Sequence, residues 1–372
     1  MRRSDLSVCS AMAMTVFGVL AGTARAEVPV VAVDIPPVHA LAARVMEGMG
    51  EPQLILPPGS SPHSASLRPS EAGMLEGADV VFWVGPELAP WLGDTLETLA
   101  GDAEVVELLE VEGTRVLEFR EGPVFAEHDH GDEDHDHDEA HAHDEDDHGD
   151  HDHDEGQDHA DHDDHDHEAH DDEAGHDHED EHAEHDGHDE DHAHDDGHGH
   201  SHDGIDPHAW LDPVNAQAWV AAMAETLAEA DPENAETYRA NAEAARGELD
   251  ALIGEIEAQL DGAEDATFFV FHDAYHYFEA RFGVEAMGSL SLSDASDPSP
   301  RRLAEIRDTI RAEGAHCVFA EPQFDDGIVS AVADGSGASV AVIDPLGVGL
   351  ETGAGLYPAL LRELSAAFAD CR

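Results

Sequence analysis

The sequence predicts an α/β fold of two lobes, each a parallel sheet flanked by helices, with one long helix between them. Three observations lead there. Short apolar runs alternate with helical stretches through both halves of the chain, the pattern of parallel strands connected by crossover helices. The runs are almost continuously apolar, as strands covered on both faces are. Between the two series lies a single helical pattern of some thirty residues, roughly 45 Å at ~1.5 Å per residue, longer than one small domain spans.

In chain order, residues 28–34 form an apolar run suited to a buried strand, and Val38, Leu41, Val45 and Met46 give residues 38–47 one apolar helical face. Residues 53–56 read as a second strand. Pro69 and Ser70 open a helix that carries Met74 and Leu75. A strand over 79–84, a helix over 88–99 and a strand over 104–108 complete the first series. Residues 216–230 are helical and Ala-rich. Asp231-Pro232-Glu233 then reads as a new helix start, Asp as N-cap and Pro at the first position. That helix runs to about Asp261, with Leu249, Leu252, Ile253, Ile256 and Leu260 as its stripe. The second series has strands over 267–271, 284–290, 316–320 and 340–343, and helices over 274–282, 300–312, 328–333 and 356–369.

The ends and the middle set the remaining boundaries. Arg2 and Arg3, an apolar run over 11–21 and the small-x-small pattern Ala24-Arg25-Ala26 predict a signal peptide over 1–26, cleaved near Ala26. The run is too short to span a bilayer, and no later segment is long and apolar enough to do so. An exported, periplasmic chain follows. Residues 127–203 hold 24 of the 30 histidines among many acids, with no Arg and no periodic apolar residue. Such a tract cannot offset the entropy of folding and is expected to be disordered. Its His-x-His repeats point to weak, overlapping metal sites. The domains are then 1–26 signal peptide, 27–230 first lobe with the tract inside it, 231–262 linking helix and 263–372 second lobe.

The net charge is −70 and the chain has no Lys. A chain so acidic repels nucleic acid and anionic lipid and attracts cations. Cys9 leaves with the signal peptide. Cys317 and Cys371 remain, an even pair in an oxidising compartment, expected as a disulfide rather than two thiols.

Three histidines lie in stiff frames. His63 ends Pro58-Gly-Ser-Ser-Pro-His63 beyond a predicted strand. His208 stands between two Asp-Pro pairs, and His272 directly follows the strand 268–271. Pro restricts its own backbone and that of the residue before it, so His63 and His208 are presented in fixed places, as His272 is by the strand it ends. Ligands of open α/β sheets collect at carboxyl ends of strands, and neutral imidazole suits zinc. Any one of the three alone reads as a hydrogen-bonded structural His; together, beside a His-rich tract, they read as one metal site. His39 and His316 read as structural. No short metal signature such as His-Glu-x-x-His is present.

Residues 57–70, Pro-Pro-Gly-Ser-Ser-Pro-His63-Ser-Ala-Ser-Leu-Arg-Pro-Ser, resemble the first ligand motif of the zinc-specific solute-binding proteins of ABC transporters. Asp206-Pro-His208-Ala-Trp-Leu-Asp-Pro213 resembles their second, and Phe269-Val-Phe-His272-Asp-Ala-Tyr-His-Tyr-Phe-Glu279 their third. Phe319-Ala-Glu-Pro-Gln-Phe324 and Ile343-Asp-Pro-Leu-Gly347 look like further signatures. The resemblance covers essentially the whole mature chain. It implies two α/β lobes joined by a rigid helix, zinc held in the cleft by His63, His208 and His272, a disulfide matching Cys317–Cys371, and a membrane permease as partner to a monomeric binding protein. Some members carry Glu immediately before the first His. Here that position is Pro62, so the fourth ligand is expected to be water, with Asp344 second. His276, one turn after His272, is expected to support the site or dock the loop rather than ligate.

The leading function is therefore capture of Zn²⁺ and delivery to an inner-membrane importer, with no enzymatic activity. Mn²⁺ or Fe²⁺ would call for more oxygen ligands. A periplasmic metal buffer or chaperone without a transporter is the alternative. A zinc hydrolase is the remaining class, since three His plus water also serve catalysis.

Overall fold

The computed structural model describes residues 28–120, 125, 204–263, 265–291, 298–324 and 326–371. The predicted signal peptide and the His-rich tract lie outside them.

The first lobe is built from β1 (Val31–Val33), α1 (Pro36–Val45), β2 (Gln53–Leu54), α2 (Pro69–Glu76), β3 (Val80–Trp83), α3 (Pro90–Leu99) and β4 (Glu104–Glu107). After a 3-10 turn at Ala209–Leu211 come α4 (Pro213–Ala230) and α5 (Ala235–Leu260). The second lobe has β5 (Phe268–Val270), α6 (His276–Phe282), β6 (Gly288–Ser289), α7 (Pro300–Glu313), β7 (Cys317–Ala320), α8 (Asp326–Ala333), β8 (Ser339–Val342) and α9 (Leu356–Asp370). As the alternation predicts, both sheets are four-stranded and wholly parallel, ordered β2-β1-β3-β4 and β6-β5-β7-β8. The two orders are the same pattern repeated. The inner strands β1, β3, β5 and β7 are buried throughout, which is why their sequences do not alternate.

Helices α1, α2, α3, α4 and α7 each start on a Pro, which lacks the amide hydrogen that a first turn cannot pair. Each sheet has one face on a core of its own. Leu75, Leu92 and Leu96 from α2 and α3 cover the first, and Ile306, Ile310, Val329 and Val332 from α7 and α8 cover the second. The other faces meet one continuous core that includes Trp219, Leu249, Ile256, Leu360 and Phe368. Helix α5 lies in that core. It packs along α4 and touches α1 and α9, and its Glu248 and Glu255 receive Arg44 of α1 and Arg362 of α9.

Two differences from the sequence reading have a visible structural cause. Asp231 does not start α5; it closes α4, and α5 begins three residues beyond its expected first turn. The Asp231 side chain is buried and accepts from Asn234 Nδ2 at 2.6 Å and Tyr238 Oη at 3.1 Å. It holds the corner between the helices instead of capping the second. The strand expected over 284–290 pairs only at Gly288–Ser289. Gly283 ends α6 at φ 72°, and the Ala286 amide is taken by the Glu279 carboxylate at 3.0 Å, not by a neighbouring strand.

The Cys317–Cys371 disulfide is formed, joining β7 to the end of α9 across 54 residues.

Candidate metal centre

Carboxyl ends of strands from both sheets converge on one cavity. His63 reaches it from the loop after β2. Gly59, at φ +88°, turns that loop in a conformation a side chain would strain. The Pro62 carbonyl accepts the indole N–H of Trp91 on α3 at 2.7 Å, fixing the peptide before His63.

His208 stands at the head of the 3-10 turn. Asp206 Oδ1 accepts its backbone N–H at 2.9 Å and lies 2.7 Å from its ring Nδ1. The turn is anchored on three sides. Trp210 Nε1 donates to Pro345 O at 2.8 Å, Tyr357 Oη donates to Trp210 O at 2.6 Å, and Tyr277 Oη donates to Asp206 O at 2.7 Å. Asp212 caps α4 through the Val214 amide and takes both donors of Arg281.

His272 follows β5, and Glu321 follows the adjacent β7. Glu321 Oε1 lies 2.8 Å from His272 Nδ1. In both pairs the carboxylate fixes the proton on Nδ1, so Nε2 carries the lone pair. One ring nitrogen from each of His63, His208 and His272 lies within 4.8 Å of the others, the only such group of three among the described residues. Ring centroids are 5.4 Å apart for His63–His208 and 5.3 Å for His208–His272. His208 and His272 are buried and His63 is half-buried.

The electrostatics follow from burial. Asp206 is pushed up to about 8, chiefly by desolvation and then by the charge of Asp273, against the pull of the His208 amide. Glu321 is raised by desolvation, with His272 opposing. His276 is lowered by its own burial and by the Arg120 charge. A cation in the cavity would favour the ionised form of both carboxyls. The cavity is about 20 Å³, room for about one water-sized occupant.

The remaining candidates sort by their contacts. Asp344 Oδ1 accepts from Leu346 N at 3.0 Å and Gln323 Nε2 at 2.9 Å, and Oδ2 accepts from Val348 N, so this carboxylate caps its own loop. His276 lies outside the three-His group; its Nδ1 is 3.8 Å from Asp206 Oδ2. His39 bonds the Pro52 carbonyl through Nε2, and His316 lies against Thr267, both structural contacts. Sequence reasoning gave no role to Asp206, Glu321 or Gln323. The signal for the first was its place two residues before His208. The signal for Glu321 was a carboxylate ending a fully apolar strand.

A family model described as zinc-uptake complex component A, periplasmic, matches residues 31–371. A high-affinity zinc uptake system protein ZnuA of Brucella abortus (strain 2308) is 42% identical over 341 residues, covering 92% of this chain and 91% of that protein. The ZnuA of Paracoccus denitrificans (strain Pd 1222) is 42% identical over 371 residues, covering 100% and 98%. A crystal structure of ZnuA shares the fold with a TM-score of 0.64 at 18% identity, over 93% of this chain and 99% of that one. With the family model spanning both lobes and all three histidines, the chain belongs to the ZnuA family of periplasmic zinc-uptake components.

Proposed function

We propose that this chain is the exported binding protein of a zinc importer. It captures Zn²⁺ with His63, His208 and His272 in the cleft and delivers it, as a monomer, to the membrane permease of an ABC transporter. The observation that carries the reading is the convergence of three imidazole nitrogens within 4.8 Å, two of them with Nδ1 committed to buried carboxylates. Three neutral nitrogen donors favour zinc over the harder Mn²⁺. The names of the relatives support the same ion. A hydrolase would need a general base with room for a substrate; Asp206 and Glu321 are engaged with imidazoles, and Asp273 is paired with Arg120. No helix among the described residues is long and apolar enough to cross a membrane, in keeping with release into the periplasm after cleavage near Ala26. The division into lobes 27–230 and 263–372 about a helix at 231–262 belongs to the same reading. It is supported by the contacts of α5 with α1 and α9.

The test is chelator competition on the mature protein and on His63→Ala, His208→Ala and His272→Ala. Each variant should lose tight zinc, and Mn²⁺ should fail to displace it from the parent. A variant that keeps parental affinity removes that residue from the ligand set.

A further inference from the structure

Gln323, on the loop after β7, lines the cavity together with the three histidines and Glu321. Its amide is oriented from one side. Nε2 donates to Asp344 Oδ1 at 2.9 Å, and that oxygen also accepts the Leu346 amide at 3.0 Å. Asp344 Oδ1 is thus an acceptor, and only the NH₂ end of Gln323 can face it. The Gln323 carbonyl is therefore turned away from Asp344. Oε1 is buried and has no hydrogen-bond partner among the described residues. Buried acceptors without donors are costly and call for an explanation.

The explanation lies in what a fourth ligand must be. Three imidazoles leave one of the four positions that zinc usually takes. A water on the ion has given a lone pair to the metal and has two O–H groups to donate. It matches the unpartnered carbonyl of Gln323. Chloride, azide or a carboxylate brings no proton and would face the Gln323 carbonyl oxygen at close range.

We propose that Gln323 is a positioning residue for this fourth ligand: its side-chain carbonyl accepts a hydrogen bond from a metal-bound water and turns anions away. The inference rests on the three-His reading and deepens it. The ion is then held with water rather than as an anion complex, a state from which a partner can take it by exchanging neutral ligands.

The experiment uses one equivalent of Co²⁺ in the mature full-length protein as a spectroscopic stand-in for zinc, titrated with azide and followed by visible absorption. Zinc affinity is measured in parallel by chelator competition. Gln323→Met keeps the side-chain length and removes the acceptor. It should bind azide at least about 10-fold more tightly than the parent and zinc about 10-fold more weakly, at the low end for partners of a metal's ligands. Gln323→Glu keeps an acceptor toward the cavity and should not gain azide affinity. A merely structural role for Gln323 would weaken both ligands in Gln323→Met, so a gain in azide is diagnostic. Parental azide and zinc affinities in Gln323→Met would overturn the proposal, as would equal azide binding by the Met and Glu variants. If the parent gave no one-to-one cobalt spectrum, or kept it in His272→Ala, the three-His reading itself would fall and this inference with it.

Discussion

Asp34, just beyond β1, shows what burial does to a single carboxyl. It is fully buried, accepts the Val84 amide at 2.7 Å and the Ile35 amide at 2.8 Å, and is pushed up from 3.8 to about 7 because desolvation outweighs those bonds. A raised carboxyl pKa means the folded chain holds a proton that the unfolded chain has lost. Stability then falls as pH rises from about 4 to about 7, by up to ~1.4 kcal/mol per pH unit and ~4 kcal/mol in all. Asp34→Asn has no such proton. In urea melts with chelator present, the parent should lose several kcal/mol relative to the variant between pH 4 and pH 7.5; a constant gap would show that Asp34 keeps an ordinary pKa. Arg120 is the opposite case, a half-buried cation between two buried acids. It donates to Asp273 and, at 2.6 Å, to Glu279, with its guanidinium 4.0 Å from the Phe125 ring centroid. Arg120→Met would leave both acids uncompensated and should cost about 3–5 kcal/mol, read as a lower urea midpoint with the m-value unchanged.

Among elements, α9 depends most on a covalent tie. The Cys317–Cys371 bridge closes a loop of 54 residues, worth about 4 kcal/mol in the chain-entropy description. Cys317→Ser/Cys371→Ser should therefore unfold at lower denaturant by an amount approaching that figure, and intact mass should rise by two hydrogens on reduction of the parent. The pairing was legible in the sequence because export leaves an even pair of cysteines. The strands and most helices were legible for a similar reason: apolar runs such as Val80–Trp83 and Cys317–Ala320 are covered on both faces, so burial writes itself directly into composition. The start of α5 was not legible. Asp-Pro is as good an N-cap signal as any, and only the tertiary contact with Tyr238 assigns Asp231 to the corner. The same limit hid half of the centre. Three histidines stood out by their stiff frames, two of them Pro-rich and the third at a strand end, but the Glu321–His272 pair joins residues 49 apart through the adjacency of β5 and β7. That is a fact of topology that no local spacing records.

For the whole molecule, the His-rich tract can be separated from the rest. The segments that flank it already lie side by side: the Phe119 amide donates to Gly204 O at 3.1 Å and the Asp206 amide to Leu117 O at 2.8 Å, with Glu118 bridged to Ile205. Removing residues 127–203 and joining the ends should leave the fold and the tight zinc site intact. The deleted imidazoles ligate only when neutral, with an ordinary pKa near ~6.5. Acidic neighbours raise such values by favouring the charged form. Binding through them should be full above neutrality and lost as pH falls. Calorimetry should find several weak zinc ions on the parent at pH 7.5, most of them gone by about pH 5.5, and about one tight ion on the deletion variant. Loss of the tight ion on deletion would mean that the tract supplies a primary ligand.

The two carboxylate–imidazole pairs also set a tempo. If His208 and His272 ligate zinc as proposed, their bonds to Asp206 and Glu321 orient both rings for it, and little would have to move for zinc to enter. Entry is then governed by encounter and by how fast the ion sheds its own waters, and the observed rate should climb in proportion to zinc concentration without levelling off.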